Sequence, residues 1–262
     1  MQLAVAARTD TGMIRSSNED AYYKDVDAER GLFVVADGMG GHAAGEVASD
    51  MAVQILAREL GTLRDIKAAD AEATVAAALK RTNRAIYDRM LAESDKQGMG
   101  TTASVLIVAG GSYLIGQVGD SRVYLLRDGA LRQLTKDHSY VQEQVDAGVL
   151  TPEQARYHPY SNVITRCVGA SAAVEPDTFR GEVQTGDVFL VASDGLTGMV
   201  DDRRLLRLLS ARAAPSRLVD ALIAEANGRG GLDNITAIVV QVGPLHPAAA
   251  GDPVRASGDG AG

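Results

Sequence analysis

The sequence predicts an α+β fold, with antiparallel sheets at the centre and helices outside them. Three observations carry this. About ten apolar runs have strand length, the helical patterns fall into two blocks, and strands and helices do not alternate as β-α-β-α. The 262-residue chain is 46% hydrophobic, enough to bury a sizeable core as one large domain. Aromatic residues are 4% and Trp is absent, so that core must be built from Val, Leu, Ile and Ala.

Residues 2–8 alternate weakly and read as an opening strand, and 21–26 and 31–36 add two more. The stretch Gly38 to Gly45 is glycine-rich and leads into a helix. On it Val47, Met51 and Ile55 recur at i, i+4, i+8, with Ala48 and Ala52 beside them. A longer helix covers about 67–93, with Val75, Leu79, Ile86 and Met90 on one face. Strands follow at about 101–109, 112–118 and 121–127, and Asp128-Gly129 makes a hairpin turn to 130–134. Residues 136–168 differ: they are polar, carry Pro152 and Pro159, and hold one short helical pattern at 139–147. They read as an excursion from the core rather than a second domain. Strands at 174–183 and 187–193, helices at 201–211 and 215–226, and a last strand at 235–242 complete a single domain over 1–242. From 243 to 262 Pro, Gly and Ala dominate without periodicity, which predicts a disordered tail.

Composition excludes several functions. A net charge of -8 and a pI near 5.0 argue against a nucleic-acid surface, which needs a basic patch. The single cysteine, Cys167, rules out an internal disulfide, fits a reducing compartment, and reads as a small packed residue. No apolar run approaches the ~18 residues of a membrane span. The N-terminus lacks the basic start and apolar stretch of a signal peptide. A soluble, cytoplasmic, membrane-free protein is expected.

Asp37 and Asp194 each end a short apolar run and are each followed by Gly. A third acid, Asp233, stands just before another apolar run, as do Glu19 and Asp20. In antiparallel pairs, the end of one strand lies beside the start of its neighbour, so all five acids can share one rim of the core. Carboxylates without paired His or Cys are hard ligands that suit Mg²⁺ or Mn²⁺ rather than zinc. Arg15 precedes Glu19 and Asp20 closely enough to act as a phosphate-binding guanidinium beside them. The glycine-rich stretch after Asp37 also holds His42, and it is neither a Walker loop nor Gly-x-Gly-x-x-Gly. Taken alone, Gly119-Asp120-Ser121-Arg122 reads as a hairpin turn, Asp137 as a solvated loop acid, and His138 and His158 as surface histidines.

Assembled in order, these segments resemble the bacterial form of the metal-dependent serine/threonine phosphatases of the protein phosphatase 2C family. The resemblance runs through Thr11-Gly-x-x-Arg15-x-x-Asn18-Glu19-Asp20, Val35-Ala-Asp37-Gly-Met-Gly-Gly-His42 and Gly98-Met-Gly-Thr101-Thr102. It continues through Val118-Gly-Asp120-Ser-Arg122, Leu134-Thr-x-Asp137-His-Ser139, Ala192-Ser-Asp194-Gly-Leu196 and Asp233-Asn234-Ile-Thr236. Each piece is weak, but seven in order are specific. The resemblance implies a β-sandwich of two antiparallel sheets flanked by helix pairs, in α-β-β-α layers. It implies a Mn²⁺ or Mg²⁺ pair bridged by Asp37, with Asp194 and Asp233 completing one metal and the Gly38 carbonyl binding the other. Glu19 and Asp20 would hold metal-bound waters, and Asp120 would share a third, weaker metal with Asp194. A hydroxide generated between the metals would attack phosphorus, Arg15 would grip the phosphoryl oxygens, and His42 is the candidate acid for the leaving oxygen. Residues 136–168 would be a flap beside the site. The expected partners are phosphorylated proteins and bacterial Ser/Thr kinases, and a monomer is expected.

Two competing classes remain. A phosphoprotein-binding protein without turnover would retain metal but release no phosphate; the intact Asp37, Asp194, Asp233 and Arg15 argue against it. A kinase or other nucleotide enzyme is disfavoured because no Walker loop, kinase catalytic loop or Asp-Phe-Gly is present.

Overall fold

The structure is a computed structural model that describes residues 1–40 and 44–244. His42 and the segment 245–262, which includes nearly all of the expected tail, lie outside the described residues. The elements follow the order β1 (Leu3–Asp10), β2 (Asp20–Val26), β3 (Arg30–Met39), α1 (Ala44–Leu60), α2 (Ala71–Ala92), β4 (Gly100–Thr101), β5 (Ala103–Ala109), β6 (Ser112–Val118), β7 (Arg122–Arg127) and β8 (Ala130–Gln133). Then come α3 (Tyr140–Asp146), α4 (Pro152–Arg156), β9 (Asp177–Glu182), β10 (Val188–Ala192), α5 (Asp194–Thr197), α6 (Asp202–Leu209), α7 (Pro215–Gly228) and β11 (Ile235–Val242).

One sheet has the order β1-β11-β10-β7-β8 and the other β2-β3-β5-β6-β9, with β4 on β3, and every pairing is antiparallel. The sheets pack face to face. Phe33, Val35, Leu106 and Ile115 of one interleave with Val123, Leu125, Phe189, Val191, Ile238 and Val240 of the other. The alternate residues of the same strands point outward. Leu32, Val34, Ala36, Val105 and Ile107 pack under α1 and α2, while Leu190, Ala192, Ala237 and Val239 pack under α6 and α7. Both faces of the central strands are therefore covered, which is why they read as continuous apolar runs rather than as alternating ones. Tyr113 and Phe189 meet edge to face across the sheet interface at 5.5 Å, in a core filled mostly by aliphatics.

Three details differ from expectation. The face of α1 that is fully buried runs through Ala48, Ala52, Leu56 and Leu60, while Val47 and Met51 are only partly covered. Small residues let the helix lie close on the sheet, so Ala outcompetes the larger side chains for the inward stripe. The strand expected at 31–36 continues through Asp37 and Gly38 to Met39, because β4 pairs with its end. Asp194 opens the short helix α5, which periodicity cannot reveal at four residues. Asp128 and Gly129, at φ 51° and 77°, make the expected hairpin turn.

Candidate metal centre

Strand register brings the acids to one rim. Asp20 lies directly opposite Asp37 in the β2–β3 pair. In the other sheet Ala192 stands opposite both Arg122 and Ala237. Asp194 follows Ala192 by two residues, Asp120 precedes Arg122 by two, and Asp233 precedes Ile235, so all three sit at the same strand ends. The two sheets are stitched there. Ser193 Oγ donates to Asp20 Oδ2 at 2.8 Å and accepts from the Thr236 amide at 2.9 Å. Thr102 and Ser121 share a hydroxyl hydrogen bond at 2.8 Å.

The backbone around Asp37 is fully held. Its amide donates to Thr102 Oγ1, and its carbonyl accepts from the Thr102 amide and Thr101 Oγ1, all at 2.8–2.9 Å. The side chain is thus carried on an immobile strand end. Gly38 follows because nothing larger fits: a Cβ there would strike the carbonyls of Gly45 and Glu19. Asn234 fixes the neighbouring loops, since it accepts from the Glu19 amide at 2.8 Å and donates to the carbonyls of Thr11 and Ser17 at 3.0 and 2.8 Å.

The electrostatics are unusual for a buried site. Burial, then Asp20, Asp194 and Asp120, push Asp37 well above the carboxylate range. Burial raises Asp194 too, helped by Asp233 and opposed by Asp37, Arg122 and Arg15. Asp120 is pushed well up by burial, Asp194 and Asp137, against Arg122. Asp20 is raised to about 7 by burial, with Thr236 and Ser193 opposing and Asp194 and Asp233 adding. Arg15 Nη2 donates to Asp233 Oδ2 at 2.7 Å. Although partial burial opposes it, Asp233, then Glu19 and Asp37, raise the guanidinium, which places all three acids within its field.

Like charges crowded in low dielectric repel one another, and each buried carboxylate needs compensation. Among the described residues no three Asp, Glu, His or Cys side chains close around a single point. The acids face one another across the rim. Their donor set is nevertheless all hard oxygen, Asp20 Oδ1 is buried without a hydrogen-bond partner, and Gly38 leaves the strand end open to close approach. A divalent cation of the Mg²⁺/Mn²⁺ class fits this donor chemistry.

Two readings of the excursion are overturned. Asp137 is not solvated: it is 8% exposed and accepts from Arg122 Nε at 3.0 Å and Nη2 at 2.6 Å, and from Gln133. His138 is not a surface histidine: it is 5% exposed, its Nδ1 accepts from the Gly119 amide at 3.1 Å, and its Nε2 faces Asp177 Oδ2 at 3.2 Å. Burial holds the imidazole below its usual range, with Asp177 opposing and Arg166, whose Nη1 lies 3.0 Å from Nε2, adding to the effect. His138 is buried against the Gly119 backbone, and Asp137 against Arg122 and Gln133. Ser193 and Asn234, which tie the acids together, stand inside the motifs of the resemblance but carry no role in the sequence reading, because a lone Ser or Asn has no spacing signal beyond adjoining a candidate acid. Cys167 is partly buried, and burial raises its thiol.

Comparison with known proteins supplies the last observation. The sequence profile described as protein phosphatase 2C matches residues 14–224. The serine/threonine phosphatase stp of Listeria monocytogenes serotype 4b is 41% identical over 239 residues, covering 89% of this chain and 94% of that protein. The crystal structure of the phosphatase Stp1 from Staphylococcus aureus superposes with a TM-score of 0.88 at 35% identity, covering 93% of this chain and 96% of that one. The catalytic domain of the phosphatase PstP, solved in complex with two manganese ions, gives 0.82 at 40% identity over 92% of this chain and 99% of that one.

Proposed function

This chain belongs to the protein phosphatase 2C family, and on that premise we propose that it hydrolyses phosphoserine and phosphothreonine on proteins as a metal-dependent phosphatase. The observation that carries the reading is the rim of mutually facing carboxylates, which Arg15 and Arg122 offset only in part. Asp37, Asp194, Asp233 and the Gly38 carbonyl would hold two Mn²⁺ or Mg²⁺ ions, with Asp37 between them. Glu19 and Asp20 would act through water, and Asp120 with Asp194 would hold a third, weaker ion. When bound, such a metal pair supplies a hydroxide nucleophile at neutral pH and offsets charge on the phosphoryl group.

The chain's own side chains do the rest. Arg15 has five N–H donors and spends one on Asp233, so it can grip phosphoryl oxygens without leaving its partner. Thr101 and Thr102 keep Asp37 from drifting, which matters because the reaction needs its groups placed to within a fraction of an ångström. His42 would protonate the departing serine or threonine oxygen. Residues 1–242 form the catalytic domain with 136–168 as its flap, and the enzyme works as a cytoplasmic monomer on the products of bacterial Ser/Thr kinases.

The test is phosphate release from a phosphothreonine peptide after chelation and readdition of Mn²⁺ or Mg²⁺, with Asp37→Asn alongside. Activity should return with metal in the wild type and stay at least about 10²–10³-fold lower in the variant. A folded, metal-loaded wild type that releases no phosphate would establish the phosphoprotein-binding alternative instead.

A further inference from the structure

Single exposed apolar side chains are ordinary, but a cluster beside a charged site is not. Among the large apolar residues exposed in the described chain, Met13 (65%), Ile14 (67%) and Leu232 (57%) occupy the two loops that present Arg15 and Asp233. Ile14 is bonded to Arg15 and Leu232 to Asp233. These loops are pinned. The Met13 amide donates to the Gly231 carbonyl at 2.8 Å, and Asn227 Nδ2 donates to Asp10 Oδ1 at 3.0 Å. Gly12 has φ 80°, and a Cβ there would strike the Asp233 carbonyl. A backbone this constrained cannot fold its apolar side chains away, so they stand in water beside the ion pair at a standing hydration cost.

We infer that Met13, Ile14 and Leu232 form a docking lip for an apolar side chain of the substrate polypeptide, close in sequence to its phosphorylated residue. The inference rests on the reading of Arg15 as the phosphoryl grip. A phosphoryl group held at Arg15 places the substrate chain over this rim. With a rise of about 3.3 Å per residue, the positions flanking the phosphorylated one then lie over the lip. An apolar flanking residue would bury area against it. An acidic flanking residue would gain nothing there and would give up its hydration against apolar side chains. The lip is continuous with the catalytic rim, which favours a substrate segment over a second copy of this chain as its occupant.

The experiment uses the Mn²⁺-loaded full chain and phosphothreonine peptides carrying Leu or Glu at each of two positions on either side of the phosphorylated residue. Wild type, Ile14→Ser, and the triple variant Met13→Ser/Ile14→Ser/Leu232→Ser are compared on these peptides and on 4-nitrophenyl phosphate. In wild type, at least one Leu peptide should exceed its Glu counterpart by about tenfold in kcat/KM. The triple variant should lose that preference, mainly through KM, with Ile14→Ser intermediate. All three proteins should cleave 4-nitrophenyl phosphate within about twofold of one another, since a small aryl ester carries no flanking residues for the lip to hold. Absence of a Leu preference in wild type, or a preference that survives the triple variant, would overturn the inference and leave the phosphatase reading intact. So would wild-type self-association that the triple variant abolishes. Failure of the wild type to cleave 4-nitrophenyl phosphate would overturn the phosphatase reading, and this inference with it.

Discussion

Strand β10 has an aspartate beyond each end, and the two have opposite surroundings. Asp187, before its first residue, is 1% exposed, yet it accepts from Arg127 Nε at 2.8 Å and Nη2 at 2.6 Å and from the Gln184 amide at 2.7 Å. Asp194, beyond its last residue, faces Asp37 of the other sheet and feels Asp233 as well, with only the more distant charges of Arg122 and Arg15 opposing. One end of the strand answers a buried charge with its counter-charge. The other brings like charges together and offsets them only in part, through Arg15 and Arg122. A buried acid that owns its arginine is structural, and a partly buried acid whose nearest neighbours are acids marks a site suited to cations.

The comparison can be broken by mutating each end. Asp194→Asn should cost at least about 10²–10³-fold in turnover while leaving thermal stability unchanged or higher, because it removes repulsion. Arg127→Ala should do the reverse, costing about 3 kcal/mol of stability by stranding Asp187, with turnover per folded molecule unchanged. Paired denaturation and kinetics would decide; equal effects of both variants on stability would refute the contrast.

A pH series sharpens it. The folded-state value of Asp20, about 7, lies above its ordinary value near 4. Its proton therefore contributes stability that is fully present below pH 4 and is lost as pH rises through 7. In chelator, the melting temperature of wild type relative to Asp20→Asn should fall steadily across that window. A constant difference would mean that Asp20 does not hold a proton in the folded protein. The smallest effect expected is that of Arg15→Ala, which should raise KM for phosphopeptides about tenfold with a lesser change in kcat. Its guanidinium is half-exposed, so its removal leaves folding largely unaffected.

Legibility followed the same division. Elements whose residues share one environment were readable, such as β5, where Ala103 to Ala109 are all buried. Residues whose role depends on a distant partner were not. Asp137 and His138 looked like surface polar residues because nothing in their own neighbourhood discloses the Arg122 fork or the Gly119 amide that they meet. Arg30 is another case: a charged residue at a strand start, it is 1% exposed and donates to the Leu60 and Leu63 carbonyls at the end of α1. The inward stripe of α1 was misjudged for a related reason. Periodicity offers two adjacent faces, and the spacing between helix and sheet selects the one lined with Ala.

By itself the sequence determined the antiparallel class, the placement of nearly every strand and helix, and the acids that end or precede strands. These follow from local periodicity and from the antiparallel rule that strand ends meet strand starts. Only the tertiary structure decided which of those acids would face each other and which would find a base. Asp187 and Asp194 belong to the same short segment, and it is the arrival of Arg127 from β7 at one end, and of Asp37 from the opposite sheet at the other, that makes one a strut and the other part of a candidate metal centre. The physical reason is that electrostatic environment is a property of long-range contacts, which chain-local patterns do not encode.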